Sequence, residues 1–181
     1  MIFTPTLLTG TYTVEPVIHS DDRGLFYRYF CKNEFQEIGH EGEWVQLNHS
    51  FTTNPGTIRG MHYQLPPFSE IKLVRCIAGK VFDAIVDVRK GSPTFLKWFG
   101  TELSAENRKM MYIPEGFAHG FQALTANCEL IYHHSAYYTS GSEAGIRMDD
   151  PLIDIRWPLE IGTVSQRDRQ HPLLTPDFTG I

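Results

Sequence analysis

Short apolar segments, each closed off by glycine, proline, asparagine or serine, recur along this chain and constrain its fold more than any other feature. Thr11–Ile18, Leu25–Phe30, Trp44–Phe51, Lys72–Ile77, Lys80–Arg89, Phe95–Leu103, Lys109–Ile113 and Cys128–Tyr132 are rich in β-branched and aromatic residues. Short strands at that spacing, with turn signals between them, predict an all-β sandwich or barrel. Lys80–Arg89 is the clearest strand. By the period of two, Phe82, Ala84, Val86 and Val88 share one face, while Asp83, Asp87 and Arg89 lie on the other. Solvent is the expected occupant of the polar side, with a binding cavity as the alternative.

Helical signals are few. Lys32–Ile38 predicts two turns, with Asn33 as N-cap and Gly39 as the stop, and Ser104–Arg108 predicts a single turn capped by Ser104. Asp149-Asp150-Pro151 reads as a turn or a short helix start, and Pro172–Ile181 as a loop, packed or frayed. With no internal repeat and no linker composition, the 181 residues predict one domain spanning 1–181.

Composition narrows the function. Hydrophobic residues make up 41% and charged residues 20%, the balance of a soluble globular protein. No apolar run approaches the roughly 18 residues a membrane helix needs. Met1–Gly10 lacks a basic n-region and an extended apolar stretch, so no signal peptide is expected. Cys31, Cys76 and Cys128 are odd in number, dispersed and without a CxxC pair. They predict reduced thiols in a cytoplasm rather than a disulfide scaffold or a thiolate metal site. A formal net charge of −5 disfavours a nucleic-acid partner, although a locally positive pocket for a small anion remains compatible with it.

Two segments combine glycine or proline punctuation with reactive side chains: Gly56–Gln64 and Ile113–Phe121. The second carries the P-x-G-x-x-H pattern of the cupins, whose proline and glycine are expected to shape a hairpin that aims His119 into a small barrel. A metal-binding cupin offers H-x-H and a Glu from the first motif as well. Two imidazoles spaced two apart on a strand reach one ion, but position 64 here is Gln. That leaves His62, His119 and Glu70, an incomplete set, and no metal is expected. Taken singly, the candidate residues also have plainer readings. His62 reads as a hydrogen-bonded wall residue, Lys72 as a strand-edge lysine, Tyr132 as core or rim, and Asp168 as a solvated turn residue.

The combined pattern is more specific. Arg59–Gln64, Lys72–Cys76, Ser92–Phe95, Leu103–Asn107, Ile113–Phe121, Asp149–Pro151 and Ile155–Pro158 closely resemble the dTDP-4-dehydrorhamnose 3,5-epimerase family, in unbroken order from about Asp21 to Asp168. The resemblance implies a cupin-type double-stranded β-helix, or jelly-roll, with a few short helices. It implies cofactor-independent epimerisation at C3 and C5 of a nucleotide-linked, dTDP-type 4-keto-6-deoxyhexose in rhamnose-type deoxysugar biosynthesis. His62 then resembles the general base, Asp168 its dyad partner, Tyr132 the general acid, and Lys72 the cation near the 4-keto oxygen. Arg59 and His119 resemble sugar or phosphate contacts, Gln46 and Asn48 nucleotide contacts, and Tyr138 the residue stacked on thymine. Glu143 falls on a substrate-contact position, and Arg167 stands where Lys is common. Arg23 resembles a diphosphate ligand reaching across from a partner subunit, since the family is a homodimer.

The chemistry suits these residue types. A ketone at C4 acidifies the hydrogens on C3 and C5 because the carbanion delocalises into an enolate. A histidine accepts such a proton at neutral pH, a carboxylate on its other nitrogen fixes the tautomer, and a lysine stabilises the enolate oxygen. Inversion requires a proton from the opposite face, which a tyrosine phenol supplies. Some residues depart from the resemblance: Arg28 occupies a position where an acidic contact is expected, and His133 and His134 replace Lys and Thr. A C3-only epimerase on a related nucleotide sugar, a metal-dependent cupin and a catalytically silent sugar-nucleotide-binding module are the alternatives.

Overall fold

The computed structural model describes residues 1–181 and is built almost wholly from antiparallel strands. In chain order they are β1 (Ile2–Pro5), β2 (Tyr12–Glu15), β3 (Ile18–Asp21), β4 (Gly24–Tyr27), helix α1 (Lys32–Gln36), β5 (Gln46–Thr52), β6 (Ile58–Gln64), β7 (Lys72–Ala78) and β8 (Lys80–Asp87). There follow β9 (Trp98–Ser104), β10 (Met110–Ile113), β11 (Phe117–Ala123), β12 (Cys128–His134), β13 (Glu143–Gly145) and helix α2 (Gln166–Gln170). A six-stranded sheet has the order β1-β2-β10-β7-β12-β5 and a five-stranded sheet the order β13-β6-β11-β8-β9. β3 and β4 pair only with each other. This is the all-β, cupin-type architecture expected from the sequence. No helix is long and apolar enough to cross a membrane.

The two sheets close on a shared apolar core. Val74, Cys76, Met111, Ile113 and Leu130 from the larger sheet meet Val81, Ile85, Leu103 and Phe121 from the smaller one. Each sheet is also covered on its outer face. Met61, Ala84, Val86 and Val88 pack under Ile146, Ile153 and Ile155, and Val14, Leu73 and Met110 pack under Phe35 of α1. Burying apolar area on both faces of both sheets supplies the main favourable folding term.

This double coverage corrects the reading of β8. Asp83 and Asp87 face the interior, not solvent, and both are fully buried. Asp83 points into the barrel beside His119. Asp87 accepts hydrogen bonds from Arg89, Ser92 and Thr94, which compensate the loss of water.

Other differences have local causes. The expected strand Thr11–Ile18 breaks at Pro16, which lacks the N–H a ladder needs, and becomes β2 and β3. Helix α1 starts two residues earlier than an N-cap at Asn33 would place it; Cys31 occupies the N-cap position without a side-chain bond, and the burial of Phe35 anchors the helix. Gly39 does end it, at φ 81°, with its N–H on the Gln36 carbonyl. Ser104 and Asn107 cap each other reciprocally in a turn rather than a helix. Pro114–Gly116 carries the chain from one sheet to the other and is not a hairpin, since β10 pairs with β2 and β7 while β11 pairs with β6 and β8. The C-terminal tail is packed: Phe178 stacks on Phe95, and Ile181 exchanges backbone hydrogen bonds with Val88 and Lys90.

Candidate active site

Inward-facing positions change character along each strand. On β12 they run Cys128, Leu130, Tyr132, His134, and on β7, read the opposite way, Cys76, Val74, Lys72. The antiparallel register sets His134 opposite Lys72, so the apolar ends form the core and the polar ends collect at one mouth of the barrel. There a cavity of about 650 Å³ opens.

His62 lies on β6 directly across from His119 on β11. Its Nε2 is 2.8 Å from Oδ1 of Asp168, leaving Nδ1 without a protein partner. Asp168 belongs to α2, a helix not anticipated from the sequence, and is only 2% exposed rather than solvated. Ser165 caps that helix by accepting the Asp168 N–H at 3.0 Å, and the Gly60 N–H donates to the other carboxylate oxygen at 3.1 Å. Burial pushes the Asp168 carboxyl up, but the hydrogen bonds and charge of its partners outweigh this and hold it well below the usual carboxylate range. It is therefore an anion at neutral pH that accepts a hydrogen bond from the Nε2–H of His62. Gly60 also lets β6 and β11 come close: at φ 122°, a Cβ there would stand 2.6 Å from the Gly120 Cα.

The opposite wall comes from the larger sheet. The Tyr132 hydroxyl is 2.9 Å from Ser50 Oγ, and burial drives its phenol far above the ordinary value despite that hydrogen bond. The phenol therefore keeps its proton at neutral pH. The Lys72 ammonium lies 3.0 Å from Glu70 and 3.5 Å from the His62 carbonyl. Glu70 also meets His134 Nδ1 at 2.7 Å; burial raises the Glu70 carboxyl, and its two partners more than reverse that. The T-shaped pair of His119 and Tyr132, with ring centroids 6.1 Å apart, joins the two walls.

The cavity thus gathers His62, Tyr132, Asp168, Lys72, Gln46, Asn48, Arg59, His119, Tyr138, Glu143 and Arg167. Arg59 is held by Thr52 Oγ1 at 3.1 Å and the Phe51 carbonyl at 3.0 Å, and His119 by Asp83 at 2.8 Å. Arg167 donates to Glu143 at 2.7 Å, and its guanidinium lies beside the His62–Asp168 pair, 3.6 Å from Asp168 Oδ1. Arg23 is the exception. It sits at the β3–β4 turn, 90% exposed, paired with Asp21 and away from this cavity. Arg28 pairs with Glu34 rather than lining the pocket. The sequence reading missed Asp83, Ser50, Ser165 and His171 as parts of the site. The carboxylates on a strand face of β8 were the signal for Asp83; the helix-capping pattern Ser165-x-x-Asp168 was the signal for α2.

The residues do not fit a cupin metal centre. Gln64 spends its amide on two loops, donating to the Phe68 and Tyr137 carbonyls and accepting from the Thr139 N–H and Ser142 hydroxyl. His119 and Glu70 are committed to Asp83, and to Lys72 and His134. The close group of ligand-type residues is instead His62, Asp168 and His171, with donor atoms within 4.8 Å of one another. Two of these three already share a proton.

The dTDP-4-dehydrorhamnose 3,5-epimerase family profile matches residues 5–176. The chain is 47% identical over 155 residues to the dTDP-4-dehydrorhamnose 3,5-epimerase of Shigella flexneri, covering 85% of each chain. The crystal structure of the enzyme of that name from Elizabethkingia anophelis superposes with a TM-score of 0.94 at 35% identity over 98% of each chain. A 3'-monoepimerase from Streptomyces bikiniensis, in complex with dTDP-quinovose, gives a TM-score of 0.87 at 35% identity, over 93% of this chain and 86% of that one.

Proposed function

We propose, since the chain belongs to the dTDP-4-dehydrorhamnose 3,5-epimerase family, that it inverts C3 and C5 of a dTDP-linked 4-keto-6-deoxyhexose in rhamnose-type sugar biosynthesis. It is an isomerase. The observation that carries the reading is the placement of a histidine–carboxylate pair and a protonated phenol on facing sheets of one cavity.

His62 removes the proton next to the ketone. Asp168, already an anion, holds the Nε2–H tautomer and favours the positive charge that develops on the ring. The electrons pass into the C4 carbonyl, and Lys72 stabilises the enolate oxygen. Tyr132 then delivers a proton from the other face, which completes the inversion. Once His62 has released its proton to solvent and Tyr132 has regained one, a second pass inverts the second centre. The ketone is itself the electron sink, so no redox cofactor and no metal is needed, and activity is expected to survive a chelator.

Arg59, His119, Gln46, Asn48 and Tyr138 are proposed as contacts to the sugar, diphosphate and base, with Glu143 and Arg167 at the sugar rim. The chain acts as one domain, in the cytoplasm, a compartment that suits its three free cysteines. It is proposed to be a homodimer. The β3–β4 hairpin pairs with neither barrel sheet and exposes Ile18, Leu25 and Phe26, an apolar surface suited to a second copy. Docked so, it carries Arg23 towards the second copy's diphosphate site.

The similarity to a 3'-monoepimerase keeps C3-only inversion as the second reading. Incubation with dTDP-4-keto-6-deoxyglucose in deuterium oxide decides between them. Deuterium at both C3 and C5 with inverted ring couplings supports the first, and deuterium confined to C3 the second. No exchange at either carbon would remove both.

A further inference from the structure

We propose that His134 is a positioning residue that couples Lys72 to the nucleotide end of the cavity through a chain of hydrogen bonds converging on Glu70. The proposal rests on the epimerase reading for what the two ends contact.

β12 lies between β7 and β5, and His134 stands opposite Lys72 on one side and Gln46 on the other. The pleat therefore sets these three side chains at one level of the same face. Glu70 bridges two of them, with Oε1 3.0 Å from Lys72 Nζ and Oε2 2.7 Å from His134 Nδ1. His134 Nε2 lies 3.2 Å from Asn48 Nδ2, Asn48 Oδ1 accepts from Gln46 Nε2 at 3.3 Å, and Gln46 Oε1 accepts from the Tyr138 backbone N–H at 3.1 Å.

The direction of every bond follows from the outer end. A backbone N–H only donates, so Gln46 turns its oxygen to Tyr138 and its NH₂ to Asn48. Asn48 accordingly turns its own NH₂ to His134. An amide NH₂ cannot accept, so His134 Nε2 is the acceptor and the ring proton sits on Nδ1, facing Glu70. The Glu70 carboxylate accepts from both Nδ1 and Lys72. The polarity set by the Tyr138 backbone thus runs through Gln46, Asn48 and His134 and ends at Glu70, the shared acceptor that holds Lys72. The His134 and Glu70 side chains are each only 10% exposed, so water does not readily repair a reversed donor.

Two substitutions cut the chain at different points. Asparagine carries its amide at the δ position, like Nδ1, so H134N keeps a donor for Glu70 but falls short of Asn48. Glutamine carries its amide at the ε position, like Nε2, so H134Q keeps Asn48 and loses the donor to Glu70. The measurements are calorimetric dTDP binding and steady-state kinetics with dTDP-4-keto-6-deoxyglucose. H134N is expected to weaken dTDP binding about tenfold while lowering kcat less than about threefold. H134Q is expected to do the reverse, lowering kcat about tenfold with dTDP affinity within about threefold of the parent. Equal changes in both parameters for both variants, or no change in either, would overturn the coupling.

Nitrogen-15 NMR of the histidines in the ligand-free wild-type protein gives an independent reading. A neutral Nδ1–H ring at His134 is expected; an Nε2–H or doubly protonated ring at pH 7.5 would overturn the proposed direction. Because this needs no nucleotide, it still decides the chain if the wild type fails to bind dTDP, an outcome that counts against the epimerase reading alone.

Discussion

His62 and Asp168 are separated by 106 positions in sequence and by 2.8 Å between Nε2 and Oδ1. Neither residue's own strand or helix specifies that contact. It forms because α2 docks against β6, where the Gly60 N–H binds the Asp168 carboxylate, and its consequence is a histidine with one nitrogen fixed and the other free.

Asp168→Asn tests that consequence directly. An amide cannot hold the Nε2–H tautomer as an anion does, nor favour the developing imidazolium. The expected loss in kcat is about 10³-fold with little change in dTDP affinity. A loss below about tenfold in single-turnover kinetics would separate the carboxylate from the chemistry.

Tyr132→Phe removes the donor on the opposite wall and leaves the base. The enolate still forms, and His62 returns the proton to the face it came from. Deuterium is thus expected to enter the sugar without matching inversion, seen by NMR as exchange outrunning epimer formation. Exchange and inversion falling in equal proportion would assign the phenol another role.

Lys72→Gln keeps a hydrogen-bond donor and loses the charge that faces the enolate. One such contact contributes about 3 kcal/mol to a transition state, so kcat should fall about 100-fold. The check is steady-state kinetics alongside a melting curve, because Glu70 loses an ion partner in the same variant.

Gly60→Ala is expected to prevent normal folding or to cost at least about 3 kcal/mol. The added Cβ would meet the Gly120 Cα at 2.6 Å and the His119 carbonyl oxygen at 2.7 Å, both of them backbone, at a φ that disfavours a side chain. Urea unfolding measures it, and a variant of near-normal stability would contradict the close β6–β11 approach.

Asp87→Asn addresses stability rather than activity. Burial raises the Asp87 carboxyl, but the hydrogen bonds from Arg89, Ser92 and Thr94 outweigh it and lower it below its ordinary value. A carboxyl lowered in the folded state stabilises the fold above its unfolded value near 4, and that contribution fades as pH falls through the lowered folded value. The variant should be less stable by about 2 kcal/mol at pH 7, with the gap to wild type narrowing at pH 3. A gap that widens in acid would reverse the assignment.

What the sequence determined by itself is local and repetitive. The period of two in segments such as Lys80–Arg89, the glycine stop at Gly39 and the absence of long helical patterns specified strands, turns and an all-β class. The ordered motifs brought His62, Lys72, Tyr132 and Asp168 together as one set before any contact was visible. Tertiary structure alone decided what faces what. Asp83 and Asp87 lie on a strand face that pattern assigns to solvent, and only the second sheet, packed over that face, makes it interior. Asp168 reads as a solvated residue until α2 forms and docks. The row of Lys72, His134 and Gln46 depends on the order β7-β12-β5, a pairing of distant segments that alternation along one strand does not encode. Pattern records which side of a strand is apolar, whereas register and layer order arise from burying all those sides at once.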